Sequence, residues 1–223
     1  MIFITGDLHG DIDIDKFNTK NFDSSDLTKN DYVIICGDFG LLWNNSKQEK
    51  WWLNWLTNKP FTTLFVDGNH ENHDMLDALP IEEWNGGKIH RINDSIIHFM
   101  RGQIFTLENR KFFTFGGADS IDKEHRREFI SWWKQEMPSC AEYEEGLYNL
   151  EKHDNTVDYI ITHTCPSRII EGKTYKGITA IEKYFDNIEN IVKFKHWYFG
   201  HYHMYKRLED KFTCLYWEVI RLI

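Results

Sequence analysis

Five short apolar runs, each broken off by a polar motif rich in Asp, His or Asn, constrain this chain more than any other feature. Met1 to Thr5 is followed by Gly6-Asp7-Leu8-His9-Gly10, and Tyr32 to Cys36 by Gly37-Asp38. Thr62 to Val66 leads into Asp67-Gly68-Asn69-His70-Glu71, Val157 to Thr162 into His163, and Phe194 to Phe199 into Gly200-His201-Tyr202-His203. Runs of four to six β-branched and aromatic residues bounded by turn signals read as buried strands. Ligands of open α/β sheets sit beyond the carboxyl ends of the strands, so five strands sharing a sheet would bring these side chains together. The adjoining glycines suit tight turns.

Helical spacing is read over Lys47–Thr57, Asn72–Leu79, Arg126–Met137 and Thr179–Ile188. From Ile96 to Phe115 the pattern is strand–turn–strand around Glu108-Asn109-Arg110, and Met204 to Ile220 alternates like strands. The chain therefore mixes βαβ units with antiparallel hairpins. In 223 residues with only 4 Pro there is no linker-like stretch, which points to one domain over residues 1–223.

A net charge of −9 argues against a groove that tracks long nucleic acid, because phosphate neutralisation needs clustered Lys and Arg. A small phosphorylated molecule or a nucleotide fits better. Cys36, Cys140, Cys165 and Cys214 have no CxxC spacing and read as reduced thiols. With no basic leader and no apolar run of membrane length, the expected location is the cytoplasm.

Each motif alone has an ordinary explanation. Gly-Asp occurs in any turn, Asn69 and Glu71 could cap a helix, and His163 could be a hydrogen-bonded histidine at a strand end. As an ordered set, GDLHG, GD, GNHE, TH and GHYH resembles the calcineurin-like metallophosphoesterase superfamily across residues 7 to 203. The protein Ser/Thr phosphatases of that group carry an Asp-Arg pair after the second motif. Here Asp38 is followed by Phe39-Gly40-Leu41-Leu42-Trp43, so the likeness is to the smaller bacterial-type phosphoesterases.

The resemblance implies an α/β fold: a four-layer α/β/β/α sandwich of two mixed β-sheets flanked by helices. It implies two divalent metal ions, Mn²⁺ first, with Fe, Zn²⁺ or Ni²⁺ as alternatives. Asp7, His9 and His203 would hold one metal and Asn69, His163 and His201 the other. Asp38 would bridge them, and His70 would face the substrate as the catalytic residue. The implied reaction is hydrolysis of a phosphomonoester or phosphodiester by a hydroxide held between the metals. Oxygen and imidazole donors without thiolate suit such an open site. The alternative is a non-catalytic scaffold on the same fold, which usually lacks ligands or the histidine that are all present here.

Outside these motifs, Trp43 is placed to stack a substrate ring. In Phe115–Arg127, Asp119, His125, Arg126 and Arg127 are further substrate-contact candidates, Arg126 or Arg127 through bidentate binding of a phosphate. Trp51, Trp52, Trp55, Trp132 and Trp133 read as core aromatics. His73, His90, His98, His125, His153 and His196 read as structural or exposed, and Glu142 to Glu145 as a solvated helix face.

Overall fold

In the computed structural model, which describes residues 1–170 and 177–223, the strand-forming runs build two stacked mixed sheets. The first sheet contains β1 (Ile2–Thr5), β2 (Tyr32–Ile35), β3 (Thr62–Phe65), β4 (Ile81–Trp84), β5 (Gly87–Asn93) and β6 (Ile96–Phe99). The second contains β7 (Gln103–Leu107), β8 (Arg110–Phe115), β9 (Tyr159–Thr162), β10 (His196–Phe199), β11 (Lys206–Leu208) and β12 (Phe212–Cys214). A last short strand, β13 (Ile220–Arg221), returns to the first sheet, whose order is β13-β1-β2-β3-β6-β5-β4. The second sheet runs β11-β12-β10-β9-β8-β7.

The strands that carry the motifs are central and parallel: β1, β2 and β3 in one sheet, β9 and β10 in the other. Burial on both faces explains their unbroken apolar sequence. Along β2, Ile34 faces the layer between the sheets, where it joins Ile4, Leu64, Phe99, Phe112 and Ile161. Its neighbours Val33 and Ile35 face outward, toward Leu56 of α1 (Lys47–Thr57) and Leu76 of α2 (His73–Asp77). On the far side, Phe113 and Phe115 pack under Leu150 of α3 (Cys140–Lys152) and Phe185 of α4 (Ala180–Ile191). The result is the four-layer α/β/β/α sandwich.

Local chemistry sets most element ends. Ser46, Asn72, Ser139 and Thr179 cap α1 to α4 by accepting a backbone N–H, and Ser139 and Thr179 form reciprocal boxes with Glu142 and Glu182. Glu108 and Asn109, with φ of 48° and 57°, form the two-residue turn of the β7–β8 hairpin.

Several expectations are corrected. The five motif strands do not share a sheet; their carboxyl ends meet because two sheets stack with those ends on the same side. Arg126–Met137 is not a helix. A 3₁₀ turn, Lys123–His125, precedes it and a second, Lys134–Glu136, lies near its end, with Phe129 at φ 63° between them, and of its spaced apolar residues only Trp133 is well buried. Tertiary hydrogen bonds win there: Arg101 donates to the Gln135 carbonyl at 2.8 Å, and Trp133 Nε1 donates to Asp74 Oδ2 at 2.9 Å. Trp51 is 57% exposed rather than core. The Glu142–Glu145 face is not simply solvated, because Glu142 pairs with Arg101 and Glu145 with Lys88. Among the described residues no helix is long and apolar enough to cross a membrane.

Candidate metal centre

All seven side chains expected as ligands lie just past the ends of the parallel strands. Four of them have left-handed backbone: His9 (φ 48°), Asp38 (φ 49°), His201 (φ 68°) and His203 (φ 47°). Such conformations cost energy for residues with a Cβ and persist where surrounding structure imposes them, commonly at functional sites. Here the Asp38 carbonyl accepts the N–H of both Leu8 and His9, at 3.0 and 2.7 Å, which locks the first motif onto the second.

Asp38 occupies the middle. Its Oδ2 lies 3.2 Å from His9 Nε2 and its Oδ1 lies 3.2 Å from His163 Nε2, while Oδ1 also accepts the His70 N–H at 2.7 Å. On the first flank, donor atoms of Asp7, His9, Asp38 and His203 all lie within 4.8 Å of one another. His9 Nδ1 is tied to Asp13 Oδ2 at 2.8 Å, which directs Nε2 inward. His203 stacks on Tyr216 and is half exposed. On the second flank, His163 Nδ1 donates to the Cys36 carbonyl at 2.8 Å, leaving Nε2 facing Asp38 and the Asn69 Oδ1 at 3.1 Å. His201 packs edge-on to His163 with ring centres 4.9 Å apart.

The electrostatics suit a candidate cation site. Asp7 is wholly buried; its Oδ1 accepts the His201 N–H, whereas its Oδ2 has no hydrogen-bond donor. His203 Nε2 is 3.2 Å from that oxygen but outside hydrogen-bonding direction. A buried, orphaned carboxylate oxygen is costly unless positive charge meets it. Burial alone would raise the Asp38 carboxyl, yet His163 and His9 hold it well below the ordinary range. Conversely, burial opposes charge on His9 and His163, but Asp38 and its acidic neighbours raise them to about 9 and about 10. Burial and the adjacent His163 push His201 down to about 3. Carboxylate and imidazole donors converging on an unsatisfied buried oxygen fit divalent cations.

The candidate ligands are braced by Glu71 of the third motif and by residues outside the motifs. The Asn69 Nδ2 donates to Ser120 Oγ at 3.2 Å, and the Ser120 hydroxyl donates to the fully buried Glu136 Oε2 at 2.6 Å. This fixes the amide so that its oxygen faces His163. Asn69 is therefore not a helix cap; Asn72 is. Glu71 is buried with its carboxylate accepting the N–H of Phe39 and Gly40, at 2.6 and 3.1 Å, and burial together with Asp38 raises it to about 8. Lys16, 1% exposed, donates to the carbonyls of Asp7 and Tyr216 at 2.5 and 2.7 Å. No short-range pattern marks Ser120, Glu136 or Lys16. Only the polar identity of residues in otherwise apolar surroundings could have drawn attention to them.

Of the substrate-contact candidates, Arg126 reaches the site. Its guanidinium nitrogens lie 3.2 and 3.1 Å from His70 Nδ1 and Nε2, while Asp122 holds its Nε at 2.8 Å. Trp43 lines the cavity that also touches His9 and His70. Asp119 instead pairs with Lys123 at 2.6 Å. Arg127 and His125 are exposed, and the Arg127 backbone N–H donates to Ser131 Oγ.

An α/β/β/α sandwich with a carboxylate–imidazole cluster at the meeting point of its strand ends defines a class of metal-site folds. The chain belongs to the calcineurin-like phosphoesterase family, whose model matches residues 1–205 of the 223. That family is divalent-metal dependent. No curated protein matches the chain.

Proposed function

We propose that this protein is a two-metal phosphoesterase that hydrolyses a phosphomonoester or phosphodiester of a small molecule or nucleotide. The observation that carries the reading is the Asp38 carboxylate, whose two oxygens face His9 on one side and His163 on the other at 3.2 Å each. Asp7, His9, His203 and Asp38 would hold one cation, and Asp38, Asn69, His163 and His201 the second. Bound divalent cations, Mn²⁺ before Fe, Zn²⁺ or Ni²⁺, would supply Lewis acidity and an acidified water.

The protein's own groups do the rest. The Asp38 bond to the His70 N–H and the Arg126 guanidinium hold the His70 ring at the edge of the cluster. Once Arg126 turns from the ring to a bound phosphate, a ring N–H of His70 would be open to a phosphoryl or leaving oxygen. Arg126 adds fixed positive charge beside it, matched to phosphate by its planar fork. The dense packing of Asp7, Asp38 and His163, each 1% exposed or less, keeps bulk water from the buried side of the cluster.

Four free cysteines, three of them buried, suit a reducing compartment, and we place the protein in the cytoplasm. The −9 charge favours a small substrate over long nucleic acid.

The test is hydrolysis of p-nitrophenyl phosphate and bis-p-nitrophenyl phosphate by metal-stripped protein after restoring Mn²⁺, Ni²⁺, Zn²⁺ or Mg²⁺, with Asp38→Asn in parallel. Turnover that returns with metal and collapses in the variant is expected, and the faster ester identifies the subclass. Two cations bound per chain without turnover of either ester would point to a narrowly specific enzyme or to the scaffold.

A further inference from the structure

A cavity of about 410 Å³ opens directly beside His9 and His70 and runs away from the metal cluster. Its far walls include Trp43, Trp52, Asn44, Ser46 and Gln48, with Asp11 at the side. The volume lies within the usual range for a small-molecule site. A phosphate held at the cluster beside His70 would have this space open to its esterified group.

The lining selects the chemistry of that group. It contains no Lys or Arg, and beyond His9 and His70 at the cluster end its charged members are Asp11 and Glu49. A second phosphate deeper in the cavity would therefore meet negative charge with no counter-cation beside it. A flat, uncharged ring would instead meet two indole side chains. Asp11 Oδ2 accepts from Gln48 Nε2 at 2.5 Å, which leaves the Gln48 carbonyl and the other Asp11 oxygen as acceptors for ring N–H groups.

The walls are held in place before any ligand arrives. Glu49 accepts the backbone N–H of Trp43, Asn44 and Asn45 at 2.7, 2.8 and 3.1 Å. The Trp43 carbonyl accepts from Asn72 Nδ2 at 2.7 Å, and its indole packs edge-on to Trp133 with ring centres 5.2 Å apart. A wall fixed in this way loses little entropy when a ring stacks on it.

We infer that the cavity takes the nucleoside portion of the substrate, so that the substrate is a nucleoside monophosphate ester or diester bearing a base with N–H donors, and not a nucleoside di- or triphosphate. This inference rests on the phosphoesterase reading. The experiment separates the two by measuring binding apart from turnover. Metal-loaded protein is titrated with adenosine, and with ribose as control, by tryptophan fluorescence. Turnover of methyl phosphate, AMP and ADP is then followed by phosphate release. Adenosine should quench and compete with AMP, ribose should do neither, and AMP should be turned over in preference to ADP. Trp52→Ala should weaken adenosine on the order of tenfold, the size expected of one lost stacking partner. The same variant should lower the AMP to methyl phosphate ratio of kcat/KM, whereas Trp52→Phe should restore most of it. Methyl phosphate turnover without adenosine binding would overturn the nucleoside assignment and leave the hydrolase standing. Equal turnover of ADP and AMP would overturn it as well. Adenosine binding without hydrolysis of any ester would sink the phosphoesterase reading and retain the pocket.

Discussion

Replacing Ser120 by alanine should weaken the proposed second cation site without touching a proposed ligand. In the folded protein the Ser120 Oγ accepts from Asn69 Nδ2 at 3.2 Å and donates to Glu136 Oε2 at 2.6 Å. Asn69 is 6% exposed and Glu136 is fully buried, so the substitution strands one donor and one acceptor away from water. Each such group costs about 1–3 kcal/mol. A water in the place of the hydroxyl would recover part of it, which gives a loss of about 2–4 kcal/mol, or roughly 5–15 °C in Tm for a chain of this size. The Asn69 amide also loses the bond that turns its oxygen toward His163. Removing a hydrogen-bond partner that orients a metal ligand typically costs 10–100-fold in affinity. Calorimetric titration of the metal-stripped variant with Mn²⁺ should thus show one site weakened by about that factor and the other nearly intact, with urea unfolding reporting the stability loss. Two cations bound at wild-type affinity, with stability within ~0.5 kcal/mol of wild type, would refute the claim that Ser120 positions Asn69.

Three further outcomes follow from the geometry. His70→Asn should lower kcat by about 10²–10⁴-fold while both cations stay bound; loss of metal, measured by elemental analysis, would make His70 a ligand and not a substrate-facing group. Gly68→Ala would place a Cβ 2.1 Å from Asp38 Oδ1 and 2.4 Å from its backbone nitrogen. The forced shift should cost about 3 kcal/mol or more and lower metal stoichiometry, read by thermal unfolding and metal analysis. Acid should destabilise the fold through His73, which burial, with Arg101 nearby, holds down at about 4. An unfolded histidine titrates near 6.5, so between these values the unfolded chain binds a proton that the folded chain refuses. The His73 contribution is therefore fully present above pH 6.5 and is lost as pH falls through 4, by about 3 kcal/mol. His73→Gln should flatten that part of the stability–pH curve measured by urea unfolding, and an unchanged curve would contradict the assignment.

Short-range information was strong wherever burial and chemistry coincide on consecutive residues. The runs ending at Thr5, Cys36, Val66, Thr162 and Phe199 are apolar because both faces of their strands are covered, and that pattern is visible without coordinates. The turn at Glu108-Asn109 and the helix of Lys47–Thr57 were legible for similar reasons, since local backbone preference and the tertiary result agree there. The Arg126–Met137 segment shows the opposite case. Its spacing favours a helix, but Arg101 and Asp74 claim its backbone and indole groups, and Phe129 takes a left-handed conformation that a helix excludes.

The sequence by itself determined the strands, the candidate-ligand types and their order, because each is written in a handful of adjacent residues. Only the tertiary structure decided that three motifs come from one sheet and two from another, since strand partnership depends on packing between segments far apart in the chain. It also decided that Arg126 rather than Asp119 or Arg127 meets His70, and that Ser120 and Glu136 aim Asn69. Those contacts span 16 to 56 residues of chain, and no local pattern encodes a hydrogen bond made across such a separation.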